Sequence, residues 1–134
     1  MQIALLYVVT AAIFLAADAV MLRAVMKPLF TKHLGDAVLD SPRLGAAVGF
    51  YLVYVAILLW FASWPALRDD MPVQALLNGA LIGIVGYGTY EMTSYAVMRD
   101  WSLEQVAADL TWGTVLTAVS AWLGVVIVRA LPFG

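Results

Sequence analysis

Apolar residues occupy this chain in four long blocks separated by three short polar connections. The blocks cover roughly residues 2–26, 42–67, 73–98 and 103–131. At about 1.5 Å of rise per residue, each is long enough to cross roughly 30 Å of hydrocarbon with some tilt. None alternates with the strict period of two that a barrel strand requires. A backbone in lipid must also satisfy its own hydrogen bonds, so each block is expected to form a transmembrane helix. The expected fold class is all-α, an integral membrane four-helix transmembrane bundle in which residues 1–134 make a single membrane domain.

The connections carry start and stop signals. Ser41-Pro42 reads as an N-cap followed by proline at the first helical position, where the missing N–H is not needed. Asp69, Asp70 and Pro72 mark the second turn. Ser102 and Gln105 have capping-box spacing, with Trp101 and Val106 placed as a hydrophobic staple, so the fourth helix is expected to start near Leu103. The longest connection, from Lys27 to Asp40, sets Leu29, Phe30, Leu34, Ala37 and Val38 on one half of a helical wheel. A short interfacial helix between helices one and two fits that spacing, and an irregular loop fits it equally well.

Composition strengthens the membrane reading. Hydrophobic residues make up 64% of the 134 and charged residues only 12%, with a mean hydropathy of +0.94. That is more apolar surface than a soluble core of this size uses. There is no basic run or basic face, which excludes a nucleic-acid footprint. With no cysteine there is no disulfide, thiolate metal site or cysteine nucleophile. The single histidine, His33, cannot build a multi-histidine site and reads as solvated or facing headgroups. Arg23, Lys27, Lys32, Arg43 and Arg99 fall on the side of the first and third connections, against Arg68 and Arg129 on the side of the termini. This five-to-two asymmetry predicts both termini outside and the two basic connections in the cytoplasm. Ala17-Asp18-Ala19 faintly resembles a cleavage site, but the first block has no positive n-region, so it is read as a retained helix.

Three acids interrupt the apolar blocks: Asp18, Glu91 and Asp109. A charged side chain at the centre of a membrane helix costs roughly 2.5–3.5 kcal/mol on insertion scales, so it normally faces a bundle interior or wet cavity. Asp18 lies five residues before Arg23, Glu91 eight before Arg99 and Asp109 seven after Ser102. All three therefore lie about 7–12 Å inward from the cytoplasmic helix ends. At 100° per residue Glu91 shares a face with Tyr87, Ser94 and Tyr95, beside a stripe of Gly79, Gly83 and Gly86. Asp109 shares its face with Trp112, Gly113 and Ser120; Asp18 shares its own with Tyr7, Ala11 and Phe14. Tyr51 and Tyr54 of helix two complete the wall of an expected polar pocket that opens toward the cytoplasm. The bland alternative is that the carboxyls hydrogen-bond to neighbouring helices and fix their rotation. Asp109 suits that alternative best, because the helix dipole favours an acid in the first turns. Packing accounts for the Gly79 to Gly83 spacing, and Trp60, Trp64 and Trp101 read as interfacial anchors.

The stretch Gly86-Tyr87-Gly88-Thr89-Tyr90-Glu91-Met92-Thr93-Ser94, followed by Asp109-Leu110-Thr111-Trp112-Gly113-Thr114, resembles the paired motifs of a bacterial four-helix membrane-protein family, domain of unknown function 2177. Its usual form is Tyr-x2-Tyr-Asp-x-Thr-Asn and then Asp-x2-Trp-Gly. The likeness extends to Asp18, to Leu34-Gly35-Asp36 and to Phe50-Tyr51 with Tyr54, and so covers nearly the whole chain. Glu91 stands where the family usually has aspartate and Ser94 where it has asparagine. The resemblance implies a membrane bundle and adds Tyr90 and Thr93 to the candidate ligand- or proton-binding set of Glu91, Asp109, Asp18, Tyr87, Ser94, Trp112 and Tyr54. It supplies no reaction.

Three functions are compatible with these residues. In the first, the acids bind a small polar ligand, a lipid headgroup, a cation or a proton, with or without catalysis. Adjacent carboxylates in a low dielectric do not all ionise, which suits general acid–base chemistry. In the second, the chain is an accessory or assembly subunit of a larger membrane complex, or a homo-oligomer, and the acids only lock the bundle. In the third, it is a small proton-coupled exporter, although its glutamate lies in helix three and no inverted repeat is evident. Three acids also suit a hard divalent ion, but no spacing is diagnostic; no metal ligand is assigned and the cofactor is unknown.

Overall fold

Helix one runs past its expected end. In the computed structural model, which describes residues 2–34 and 44–131, α1 (Gln2–Met21) passes through a π turn (Leu22–Met26) directly into α2 (Lys27–Leu34). The segment from Lys27 is therefore a short helix over its described part, not an irregular loop, and the π turn joins it to helix one without a break. Gly35, Asp36, Ala37, Val38, Ser41, Pro42 and Arg43 lie outside the described residues, as does the expected cap of helix two. Only the backbone of His33 is described.

The second rod has the same construction: α3 (Leu44–Leu58), a π turn (Leu59–Ser63) and α4 (Trp64–Arg68). Both π turns end two residues before a proline, Pro28 in one rod and Pro65 in the other. A proline inside a helix lacks the N–H that would bond four residues back, and its ring crowds that carbonyl. Widening the preceding turn by one residue lets the helix continue. Phe61 O, four residues before Pro65, instead accepts from Asn78 Nδ2 of the third rod at 3.4 Å.

The turn after α4 closes with Met71 N–H on Ala66 O at 2.9 Å and Asp70 N–H on Leu67 O at 3.3 Å. Asp70 has φ of +58°, the left-handed residue that such a helix ending requires. α5 (Pro72–Val97) begins with proline in its first turn. α6 (Leu103–Ala130) begins with the Ser102–Gln105 capping box, both reciprocal bonds present. Trp101 and Val106, the staple pair, are both buried.

These rods form a four-helix bundle built around α6. Half of the most apolar window of α6 is buried, against 22% for helix one and 28% for helix two, so α6 is the central element. α5 makes the most extensive pairing with it; α1 packs on α6 and α3. Gly79 and Gly83 explain the α5–α6 approach, since a Cβ on Gly83 would lie 2.8 Å from both Gly113 O and Thr114 Cα. The spacing of these two glycines is thus used for packing.

The surface is apolar and the interior carries the polar groups. Val8, Phe50, Trp60, Leu77, Leu81 and Val85 are all more than 60% exposed, while Thr10, Ser63, Glu91, Gln105, Thr117 and Ser120 are fully buried. Water would not tolerate that distribution, whereas lipid favours it. Among the described residues three helices, Gln2–Leu29, Gly45–Arg68 and Leu103–Ala130, are long and apolar enough by composition to cross a membrane. α5, with 26 residues, has the length at about 39 Å. Glycines, Gln74, Asn78 and Glu91 dilute its hydropathy, and Ala75, Gly79, Gly83 and Glu91 are buried within the bundle.

Candidate functional site

Glu91 lies two turns before the end of α5 and has no exposed surface. The connection to α6 is short, so the residue preceding the next N-cap is brought back against the end of α5. That residue is Trp101. Its indole Nε1 donates to Glu91 Oε1 at 2.9 Å, and Tyr90 meets its ring edge-on, with centroids 5.6 Å apart and planes at 89°. Trp101 is only 7% exposed, which corrects its expected place as an interfacial anchor. A short hairpin turns its ring inward where an indole N–H has a carboxylate to meet. Trp60, in contrast, is 73% exposed.

Asp109, in the second turn of α6, is buried with its carboxyl beside that of Glu91. Glu91 Oε2 has no hydrogen-bond donor among the described residues. The two acids expected in separate helices thus face each other. Asp18 of α1 is half-buried, close enough to Asp109 for their charges to interact. It accepts from Trp112 Nε1 at 3.1 Å, so α1 is keyed to α6 by the tryptophan of the second motif. Among the described residues no group of three His, Cys, Asp or Glu side chains lies close enough to hold a metal ion; the trio is a contacting pair with a third acid beside it.

Three tyrosines line the same region. The Tyr51 hydroxyl faces Asp18 and Tyr87, the Tyr54 hydroxyl shares a hydrogen bond of 2.9 Å with Thr117 Oγ1, and the Tyr54 and Tyr87 rings meet edge to face at 6.2 Å. Gly113 is what admits Tyr87: a Cβ there would overlap its ring. Gly86 similarly approaches the Tyr54 ring, 3.1 Å from an added Cβ, so it serves contact with α3 whereas Gly79 and Gly83 serve contact with α6.

The structure does not gather every candidate. Tyr90 is 51% exposed and packs edge-on against Trp101. Thr93 is exposed, and Tyr95, expected on the Glu91 face, is 39% exposed. Ser94 is half-buried, and its carbonyl accepts the Met98 N–H that ends α5. Gln105, absent from the candidates, is fully buried one turn before Asp109 with Nε2 unpartnered among the described residues. The i, i+4 spacing of Gln105 and Asp109 was the available signal for it. An open groove of about 590 Å³ elsewhere, lined by Tyr7, Leu52, Ala56 and Trp60 among others, includes none of the three acids.

Residues 3–126 match the family model described as a predicted membrane protein, DUF2177. The chain belongs to the DUF2177 family. No curated protein and no solved structure matches it. In this DUF2177 protein the two motif segments, Gly86–Ser94 and Asp109–Thr114, lie on the tightest helix pair of the bundle. Their contacts include Glu91 with Asp109, Tyr87 with Gly113 and Gly88 with Leu110. It is a multi-pass integral membrane protein with buried acidic residues.

Proposed function

We propose that this DUF2177 protein binds a proton or a small cationic group between Glu91 and Asp109, in the half of the bilayer nearer the α5–α6 connection. The observation that carries the reading is the contact of two buried carboxyls with Glu91 Oε2 lacking any donor among the described residues. Two bare carboxylates in a low dielectric repel, so their contact calls for a bridging proton or cation. Trp101 and Trp112 each donate one hydrogen bond, to Glu91 and Asp18. Those bonds orient the acids and leave acceptor capacity unfilled, as a site for a donor requires. Asp18 and the Tyr51 hydroxyl add polar wall, and an ammonium headgroup of a lipid has the right charge and donors. The excess of Lys and Arg in the first and third connections supports a bacterial cytoplasmic membrane with this end of the bundle inside and both termini in the periplasm.

Indole fluorescence of the protein in nanodiscs, titrated with pH and with ethanolamine-headgroup lipid, tests the reading. Trp101 sits on Glu91, so wild-type emission is expected to respond to pH, and Glu91→Gln and Asp109→Asn are each expected to abolish the response while keeping helical circular dichroism. Two folded variants that respond like the wild type would refute the site. Stoichiometric copurifying chains together with unaltered titration would favour an accessory subunit instead. For orientation the absence of cysteine is useful: a cysteine replacing Asp100 is expected to be labelled from the cytoplasmic side only, and one replacing Asp69 from the outside only.

A further inference from the structure

Beyond the carboxyls, the buried face of α6 carries a line of polar or small residues beside the buried Leu116 and Val125. Asp109, Gly113, Thr117, Ser120 and Gly124 are all buried and recur at spacings of three or four, so they form one stripe. The stripe runs from Asp109 to Gly124, about 22 Å along the helix. Small residues alone would mean packing. The hydroxyls add a second observation: Thr10 Oγ1, Ser63 Oγ and Ser120 Oγ are each fully buried and have no hydrogen-bond partner among the described residues. Serine and threonine in membrane helices normally turn back to the carbonyl four residues earlier. Thr114 of the same helix does so, with Oγ1 on Leu110 O at 2.8 Å. Thr10, Ser63 and Ser120 do not.

These three come from elements that pack on one another. Thr10 of α1 lies against Gly124, where a Cβ would overlap its Oγ1, and Gly124 is one turn beyond Ser120. Ser63 sits in the π turn that packs on α1, α5 and α6. A buried hydroxyl without a partner is costly in hydrocarbon, and a water making about three hydrogen bonds is the usual partner for clustered orphans of this kind. We propose that Thr10, Ser63 and Ser120 form a second site, occupied by water, in the half of the bundle away from the carboxyls. Through Ser120, one turn from Thr117 and its bond to Tyr54, the site extends the carboxyl cluster into a polar column. The fully buried Val125 and Val128 lie at its far end. The water site rests on the three hydroxyls and stands without the carboxyl reading.

X-ray radiolytic footprinting in nanodiscs tests the proposal, because bound water generates hydroxyl radicals next to otherwise sheltered side chains. Leu6 and Phe14 flank Thr10 by one turn on the same face and are fully buried. The wild type is expected to be modified at Leu6 and Phe14, with at least a threefold fall in the Thr10→Val, Ser120→Ala double variant. Glu91→Gln is expected to lose the pH response yet keep the labelling, which separates this site from the carboxyl site. Where the double variant fails to fold, Ser120→Ala alone serves: a lowered Tm is expected, since the water loses a partner, whereas a dry orphan hydroxyl would give a raised Tm on removal. Unmodified Leu6 and Phe14 in the wild type, labelling unchanged in the folded double variant, or a raised Tm for Ser120→Ala would overturn the proposal.

Discussion

Replacing Trp101 by phenylalanine isolates the one indole bond that holds Glu91. The change removes the N–H that reaches Glu91 Oε1 at 2.9 Å, and also shrinks a ring that is 93% buried (7% exposed) and packed edge-on by Tyr90. The raw loss of stability therefore mixes hydrogen bonding with packing. A double-mutant cycle with Glu91→Met, which removes the acceptor, cancels the packing part, which is common to both backgrounds. Neutral interhelical hydrogen bonds in membrane proteins average only about 0.6 kcal/mol in such cycles, with a maximum near 1.7. A bond to a charged group is worth roughly 1.5–3 kcal/mol. With Oε2 lacking a donor among the described residues, the indole is the bond that holds the Glu91 carboxyl, and a coupling between about 0.6 and 1.5 kcal/mol is expected. Reversible unfolding in bicelles, followed by far-ultraviolet circular dichroism, measures the four corners of the cycle. Additivity within roughly 0.3 kcal/mol, the range expected of independent sites, would refute the claim that the two side chains are joined.

Two glycines of the motif helices separate packing from composition. Gly113→Ala forces a Cβ into the Tyr87 ring and is expected to cost about 1–3 kcal/mol, whereas Gly88→Ala, whose Cβ would meet only Leu110 Cδ1 at 3.4 Å, is expected to be neutral or to gain from helix propensity. The same unfolding assay ranks the two, and equal effects would contradict the placement of Tyr87. At the opposite end, Asp70 combines a positive φ with an ion pair to Arg129 at 2.6 Å. Asp70→Ala is expected to lose the exposed pair, worth at most about 1 kcal/mol, and to retain the left-handed strain, while Asp70→Gly relieves the strain and is expected to lie within about 0.5 kcal/mol of the wild type. An Asp70→Gly protein less stable than Asp70→Ala would refute the turn geometry.

Residue order alone determined that this chain is a four-helix membrane bundle, because hydrocarbon accepts only segments that are long, apolar and internally hydrogen-bonded, and that requirement is written in one dimension. The Ser102–Gln105 box was legible for the same reason, being a contact between residues three apart. The depth of Asp18, Glu91 and Asp109 along their helices could also be counted. Which groups these acids meet was not countable: Trp112 reaches Asp18 across 94 residues of chain, and Trp101 reads like any interfacial tryptophan until the α5–α6 hairpin turns it onto Glu91. The prolines Pro28 and Pro65 were visible, yet the π turns ahead of them were not, since a proline in a helix can break, kink or widen it and its neighbours choose. The tertiary structure decided the partners because small residues, Gly83 and Gly113 above all, set how closely two helices approach and in what rotation. That approach determines which buried polar atoms find a partner and which, like Thr10 and Ser120, do not.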